Sequence, residues 1–374
     1  MSEKNPVRLG VIGAGYIAGV HGVAAAGIQD ELQIVAAADE NLPAAEAIVT
    51  KYGWGKAYGN VAAMLSSEQL DGVIIATWPS THLELIRQCV AAGIRYVLCE
   101  KPFVLTGAEA LEVWALAKET GAIITEAFMY RHHPAITRID RLLAAGELGK
   151  LDHVRASFTY VNLASELGID PNDPNRPWRF RADQGGGALY DIGAYAINAC
   201  THVAGAVPTR VAAFGRAKNV FGTSDKIIGL IDYANDTVGM IEASEISDST
   251  QELQISGDKG TLYLPFTWTI YDETEISIRR AIPTSHRDPE RIFRTLEDRY
   301  AIAKSNAFQD QLLNVADVVR NDAKPRVGLA ETVINTVTME ALARSLNERE
   351  EIDVVVPDDV TEAFLKAKAG QPGI

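Results

Sequence analysis

The stretch that most limits what this chain can become lies near its amino end. Val7–Ile12 is a predominantly apolar run, and Gly13-Ala14-Gly15-Tyr16-Ile17-Ala18 follows it directly. A strand that runs into Gly-x-Gly-x-x-Ala and then opens a helix is the context in which this spacing binds a dinucleotide. Gly13 permits the tight turn, Gly15 lets main chain approach a pyrophosphate, and Ala18 allows close helix packing. The amides around Tyr16 and Ile17 then face the phosphates at the helix start.

The same alternation continues downstream. Gln33–Asp39, Gly72–Thr77, Arg95–Cys99 and Ile123–Glu126 are short, apolar and β-rich, as strands covered on both faces must be, and amphipathic segments fill the gaps. Capping boxes are expected at Thr81 with Glu84 and at Thr106 with Glu109, with helix stops at Gly93 and Gly121. After Glu126 the texture changes to a helix around Pro134–Ala145, a strand near Leu151–Thr159 and a polar stretch rich in Pro, Asn and Asp. Several strands follow between Arg210 and Arg279, with turn signals at Asn235-Asp236 and Asp258-Lys259-Gly260, so this sheet should be largely antiparallel. Helices near Asn306–Arg320 and Ala330–Asn347 precede a last strand at Ile352–Val356. With 374 residues, two cores are expected. The expected fold is α/β: a Rossmann doubly wound parallel sheet over residues 1–127, then an α+β domain with a large, mostly antiparallel sheet over 128–374.

Charge and composition exclude several partners. A formal net charge of −14 without a basic stripe opposes binding to nucleic acid or an anionic membrane surface. No apolar run is long enough to span a bilayer, and Met1–Pro6 lacks the features of a secretory signal, so a cytoplasmic protein is expected. Cys89, Cys99 and Cys200 form no CxxC pair and read as small buried hydrophobes. His132, His133 and His202 do not have the spacing of a metal site, and no GxSxG occurs, so neither a metal nor a serine nucleophile is expected.

Asp39, about twenty residues beyond the glycines, sits where a carboxylate accepts from both adenine-ribose hydroxyls. Glu40 beside it would repel a 2′-phosphate and no Arg follows, so NAD is expected in preference to NADP. Thr77, Pro79 and His82 fall past the third core strand, at the sheet edge where the nicotinamide ribose would lie, and are placed at the cofactor, with no catalytic role for His82. Glu100 and Lys101 end the next strand at that edge, in Cys99-Glu100-Lys101-Pro102.

This Glu-Lys-Pro motif resembles that of the Gfo/Idh/MocA oxidoreductases, and a second stretch strengthens the resemblance. Gly185-Gly186-Gly187-Ala188-Leu189-Tyr190-Asp191-Ile192-Gly193-Ala194-Tyr195, followed by Asn198, is similar to the family's active-site helix. Where many members read Asp-x-Gly-x-His, this chain reads Asp-x-Gly-x-Tyr, as in the glucose-fructose oxidoreductase, dihydrodiol dehydrogenase and xylose dehydrogenase branch. Residues four apart share a helix face, so Asp191, Tyr195 and Asn198 are expected on one side. The resemblance implies a lysine, Lys101, reaching the nicotinamide, and an oligomer built through the second sheet. Ile227, Leu230 and Val238 are alternating apolar residues of that region, compatible with such a contact and equally with a helix-covered face.

An alcohol that gives hydride to a nicotinamide also loses a proton. Tyr195 can take it if Lys101 favours the phenolate, while Asp191 orients the substrate through a neighbouring hydroxyl. Arg131 and His132, in a segment similar to the same branch, and Trp178 and Arg179, in the polar loop, are expected to complete substrate binding with Asn198. The leading expectation is an aldose 1-dehydrogenase. A ring-carbon polyol dehydrogenase, a ketosugar reductase or a trans-dihydrodiol dehydrogenase would use the same groups, and a nucleotide- or sugar-sensing regulator of this fold is the non-enzymatic alternative.

Overall fold

The computed structural model describes residues 5–162, 168–270, 272–281 and 295–370. It forms two compact units. One runs to His132 and takes in Asn306–Thr336; the other comprises His133–Ser305 and the chain from Val337 onward. The sequence suggested a single cut after residue 127, whereas the first unit closes at His132 and receives a later return of the chain.

The first unit is built on a parallel sheet of β1 (Val7–Ile12), β2 (Leu32–Ala38), β3 (Lys56–Tyr58), β4 (Gly72–Ile75), β5 (Tyr96–Cys99) and β6 (Ile123–Glu126), in the order β3-β2-β1-β4-β5-β6. Every residue of β4 and β5 is buried, which explains why their sequences are continuous apolar runs. The helices α1 (Tyr16–Ala26), α2 (Leu42–Tyr52), α3 (Val61–Ser67), α4 (His82–Ala91) and α5 (Gly107–Thr120) connect the strands. The strand order reverses between β1 and β4, where doubly wound sheets open a ligand crevice at their carboxyl edge. The short β3 was not anticipated, because three residues carry no period.

Thr106 and Glu109 form the expected capping box, and Gly121 ends α5 in a left-handed conformation at φ 74°. Thr81 does not cap α4. A 3₁₀ turn, Pro79–Thr81, leads into the helix and leaves Thr81 in helical conformation, so its hydroxyl bonds back to the Trp78 carbonyl at 2.8 Å.

The second unit carries α6 (Pro134–Ala144) and a ten-stranded sheet. Its strands are β7 (Leu151–Val161), β8 (Pro208–Arg216), β9 (Lys226–Tyr233), β10 (Val238–Ser244), β11 (Ile246–Thr250), β12 (Leu253–Gly257), β13 (Gly260–Leu264), β14 (Thr274–Ala281), β15 (Thr295–Ile302) and β16 (Ile352–Asp353). The path is β15-β14-β13-β12-β7-β10-β9-β8-β16, with β11 paired to β7, and every pairing is antiparallel except β7 with β10. The helix α7 (Ala194–Ala204) is buried along its whole length. In β9 the residues alternate, so Ile227 is fully buried while Ile228 and Leu230 are exposed; Ile227 and Leu230 therefore face opposite sides. Phe214 on the adjoining β8 is 74% exposed.

Three more helices complete the chain: α8 (Ala307–Asn321), α9 (Leu329–Glu348) and α10 (Asp358–Ala369). Asn306 caps α8 by accepting from the amides of Phe308 and Gln309. All three cysteines are buried and unpaired. Among the described residues no helix is long and apolar enough to cross a membrane.

Candidate active site

In the first unit the glycine turn is fixed by contacts that only its sequence allows. Gly13 sits at φ 97°, its amide donates to the Ala38 carbonyl at 2.8 Å, and a Cβ there would lie 2.6 Å from the Ala76 carbonyl oxygen. The Asp39 carboxylate accepts from the amide of Ala14 through one oxygen and from that of Asn41 through the other, both at 2.8 Å. Asp39 thus ties the turn to the end of β2, a structural task added to the one expected of it.

Gly15 caps α1 without a side chain, a Cβ built on it would meet nothing within 4 Å, and no acid occupies the first helical turn. The helix start therefore leaves room for an anion beside Gly15. A cleft of about 680 Å³ lies on one side of this turn, its walls including Gly15, Asp39, Glu40, Asn60, Thr77 and Trp78. Tyr16, 87% exposed, lines a second hollow on the other side of the turn. Pro79 is buried at the base of the β4 loop.

His82 is fully buried. Its Nδ1 lies 2.8 Å from the Phe103 carbonyl and its Nε2 3.3 Å from the Thr77 carbonyl, and burial lowers its pKa. It joins the loops after β4 and β5. Glu100, also buried, pairs with His21 of α1 at 2.8 Å and accepts from the amide of Lys101 at 3.2 Å. His21 had no signal in the sequence beyond its place in α1. Lys101 is half-buried at the end of β5. Glu126, at the end of β6, accepts from the Phe103 amide at 3.1 Å, and burial raises its pKa well above the usual carboxylate range.

Two residues expected to bind substrate are committed elsewhere. Arg131, 3% exposed, forms an ion pair with Glu331 of α9, and Arg326 donates to its carbonyl at 2.9 Å. It pins the returning segment to the first unit. His132 lies 3.3 Å from Asn314 of α8, and burial, with Arg326 and Arg131 nearby, pushes its pKa down to about 3. Its neighbour His133 caps α6 by accepting from the Ala135 amide, and His202 pairs with Asp140 at 2.7 Å, so the three histidines serve separate contacts. No cluster suited to a metal occurs among the described residues.

The second unit gathers a polar cluster around Asp191. The helix carrying it begins as a π turn, Leu189–Gly193, before becoming regular at α7, so Asp191 sits in a widened turn and not in the uniform helix that the spacing suggested. Its carboxylate is 2% exposed and accepts from Arg179 Nε at 2.7 Å and from the Tyr160 hydroxyl at 3.3 Å. Arg179 in turn lies over the Trp178 ring, 4.9 Å from its centroid. Tyr195 is 6% exposed and packs against Phe158 and Trp268, with ring centroids at 5.5 and 5.8 Å. Asn198, one turn further along the helix, is wholly buried.

Beside this cluster stands Glu245, at the corner between β10 and β11. It is 1% exposed, and its Oε2 accepts from Asn162 at 2.8 Å. Tyr160, Asn162 and Glu245 went unnoticed in the sequence, where they are scattered polar residues at strand ends with no shared motif.

Comparison with known proteins agrees with this architecture. Residues 7–128 match the oxidoreductase family with an NAD-binding Rossmann fold, and residues 136–263 match the GFO/IDH/MocA C-terminal domain. The chain belongs to the GFO/IDH/MocA oxidoreductases. A trans-1,2-dihydrobenzene-1,2-diol dehydrogenase of Mus musculus is 28% identical over 94% of this chain and 99% of its own length. A D-xylose 1-dehydrogenase (NADP(+)) of Haloferax volcanii is 30% identical over 68% of this chain and 75% of its own. The fold is shared with a crystallised 3-ketoreductase from Actinomadura kijaniata in complex with NADP and TDP-benzene, at a TM-score of 0.77 and 24% identity over 91% of this chain and 98% of that one.

As a member of the family the protein is an NAD(P)-dependent oxidoreductase acting on CH–OH groups. Its own residues fit that cofactor: an open helix start, a glycine where a Cβ would close the turn, and an acid-lined cleft beside both. The nicotinamide, when bound, accepts or returns a hydride.

Proposed function

We propose that the protein is an aldose 1-dehydrogenase that prefers NAD, with Lys101, Asp191 and Tyr195 as its working residues. The observation that carries the reading is the Asp191 cluster: a buried carboxylate held by a guanidinium and a phenol, next to an indole face, is a chemistry suited to polyhydroxylated substrates. In this reading Asp191 accepts from a substrate hydroxyl, Arg179 and Trp178 position the ring, and Tyr195 takes the proton released as hydride departs. Lys101 supplies the positive charge that favours the phenolate. The relatives that act on xylose and on dihydrodiols lend support to an alcohol substrate bearing a neighbouring hydroxyl.

The NAD preference is supported by Asp39 and Glu40 in the cleft wall and by the absence of Lys or Arg among the described residues lining that cleft. A homodimer or homotetramer through the second sheet is part of the proposal, supported by exposed Phe214, Ile228 and Leu230.

The test is spectrophotometric: the protein with NAD or NADP and a panel of aldoses, cyclic polyols and trans-dihydrodiols. Aldoses should give the highest kcat/KM, with NAD ahead of NADP, and Asp39→Ala should narrow that ratio by about tenfold. Turnover confined to dihydrodiols or ring polyols would reject the substrate, and an unchanged ratio in Asp39→Ala would reject the cofactor reading.

A further inference from the structure

We propose that Glu245 is a positioning residue of the second unit: a neutral carboxylic acid, fixed by Asn162, that leaves Asp191 as the one anion shared by Arg179 and Tyr160. The inference rests on the reading of Asp191 as the carboxylate that orients substrate.

Position comes first. Main chain clamps the Glu245 corner from both sides, since its amide donates to the Asp225 carbonyl at 2.9 Å and its carbonyl accepts from the Asn162 amide at 2.8 Å. The Asn162 side chain then holds Oε2 at 2.8 Å, while Oε1 is buried with no hydrogen-bond partner among the described residues. An ionised carboxylate with one oxygen orphaned in the interior carries a large desolvation cost, whereas the neutral acid carries far less.

Charge counting points the same way. The groups near Glu245 are Asp191 on the π turn, Arg179 on the preceding 3₁₀ turn, Asp225 ahead of β9 and Tyr160 on β7. Arg179 is engaged with Asp191, and Asp225 pairs with Arg216 at 3.1 Å. Among the described residues no cation near Glu245 is left to match a further anion. Burial first, and Asp191 second, push the Glu245 pKa up to about 8. The Tyr160 phenol is raised as well, chiefly by burial and then by Asp191, so it stays a donor to Asp191.

This arrangement has a functional consequence. While Glu245 is neutral, Arg179 and Tyr160 both serve Asp191. Once Glu245 ionises, a second negative charge competes for Arg179 and loosens the carboxylate that grips substrate. Substrate KM should then rise in mildly alkaline solution, by at most about tenfold per pH unit beyond the ionisation, and level off at the weaker affinity of the ionised form.

The decisive measurement is the pH profile of substrate KM, from pH 6 to 9.5, for wild type, Glu245→Gln and Asn162→Ala. The amide keeps an acceptor for Asn162 and cannot ionise, so Glu245→Gln should show no alkaline rise of KM. Removing the Asn162 donor withdraws a bond that favours the anion, so in Asn162→Ala the rise should move to higher pH. A parallel rise in wild type and Glu245→Gln, or a flat wild-type profile, would overturn the proposal.

A second arm needs no substrate. An acid whose folded pKa exceeds its unfolded value contributes stability that is full below about pH 4.5 and lost as pH climbs through about 8. The Tm of Glu245→Gln relative to wild type should therefore increase steadily between pH 5 and pH 8, and a constant difference would refute the neutral acid. If no alcohol in the panel turns over, the proposed substrate falls, and this arm still decides the state of Glu245.

Discussion

The two units build their working residues in opposite ways. In the first, the glycine turn, Asp39, Thr77, Glu100 and Lys101 all stand at or just beyond the carboxyl ends of adjacent parallel strands, so one sheet edge places them by its topology. In the second, Tyr160, Asn162, Arg179, Asp191 and Glu245 come from a strand end, a polar loop, a π turn and the corner between β10 and β11. A contiguous motif is visible before folding, whereas an assembled cluster exists only afterwards. The proposed function likewise divides residues of the same type into those assigned to substrate and those that hold the chain together.

The two arginines Arg131 and Arg179 are the sharpest case. Both were expected at substrate, yet Arg131 is 3% exposed in an ion pair with Glu331, while Arg179 is 45% exposed and bound to Asp191. Arg131→Ala removes the guanidinium from buried Glu331 and should cost about 3–5 kcal/mol of stability, read by denaturant unfolding. Arg179→Ala should cost less stability than Arg131→Ala, since its guanidinium is 45% exposed, but raise substrate KM about tenfold or more. If Arg131→Ala folds normally and raises KM alone, the division between the two is wrong.

Gly13 offers the corresponding test on the nucleotide side, with a smaller effect. Alanine there meets the Ala76 carbonyl and a left-handed φ together, a strain of about 1–3 kcal/mol. Gly13→Ala should weaken dinucleotide binding about tenfold by fluorescence titration while substrate KM at saturating cofactor stays within about twofold. Unaltered cofactor affinity would show that the turn does not approach the ligand.

These contrasts show what was legible in the sequence and why. The parallel strands and the capping box at Thr106 could be read because each rests on a local rule: burial on both faces, or a hydroxyl and a carboxylate three residues apart. Thr81 satisfied the same spacing and failed, since a 3₁₀ turn before it had already made it helical. Asp191 and Tyr195 were singled out by resemblance, but the π turn that carries Asp191 has no four-residue period to betray it. His82 looked like a cofactor contact from its position, and only its burial between two carbonyls gives it a structural role. Glu245 illustrates the limit, because nothing local distinguishes it from any acid at a strand end.

The central claim is that Lys101 and Tyr195 act on one proton, and a double-mutant cycle on kcat tests it most directly. Lys101→Ala and Tyr195→Phe should each lower kcat by about 10²–10⁴, and the double variant should fall to little below the worse single one, because the two serve a single step. Losses that multiply, or wild-type kcat in either single variant, would contradict the account.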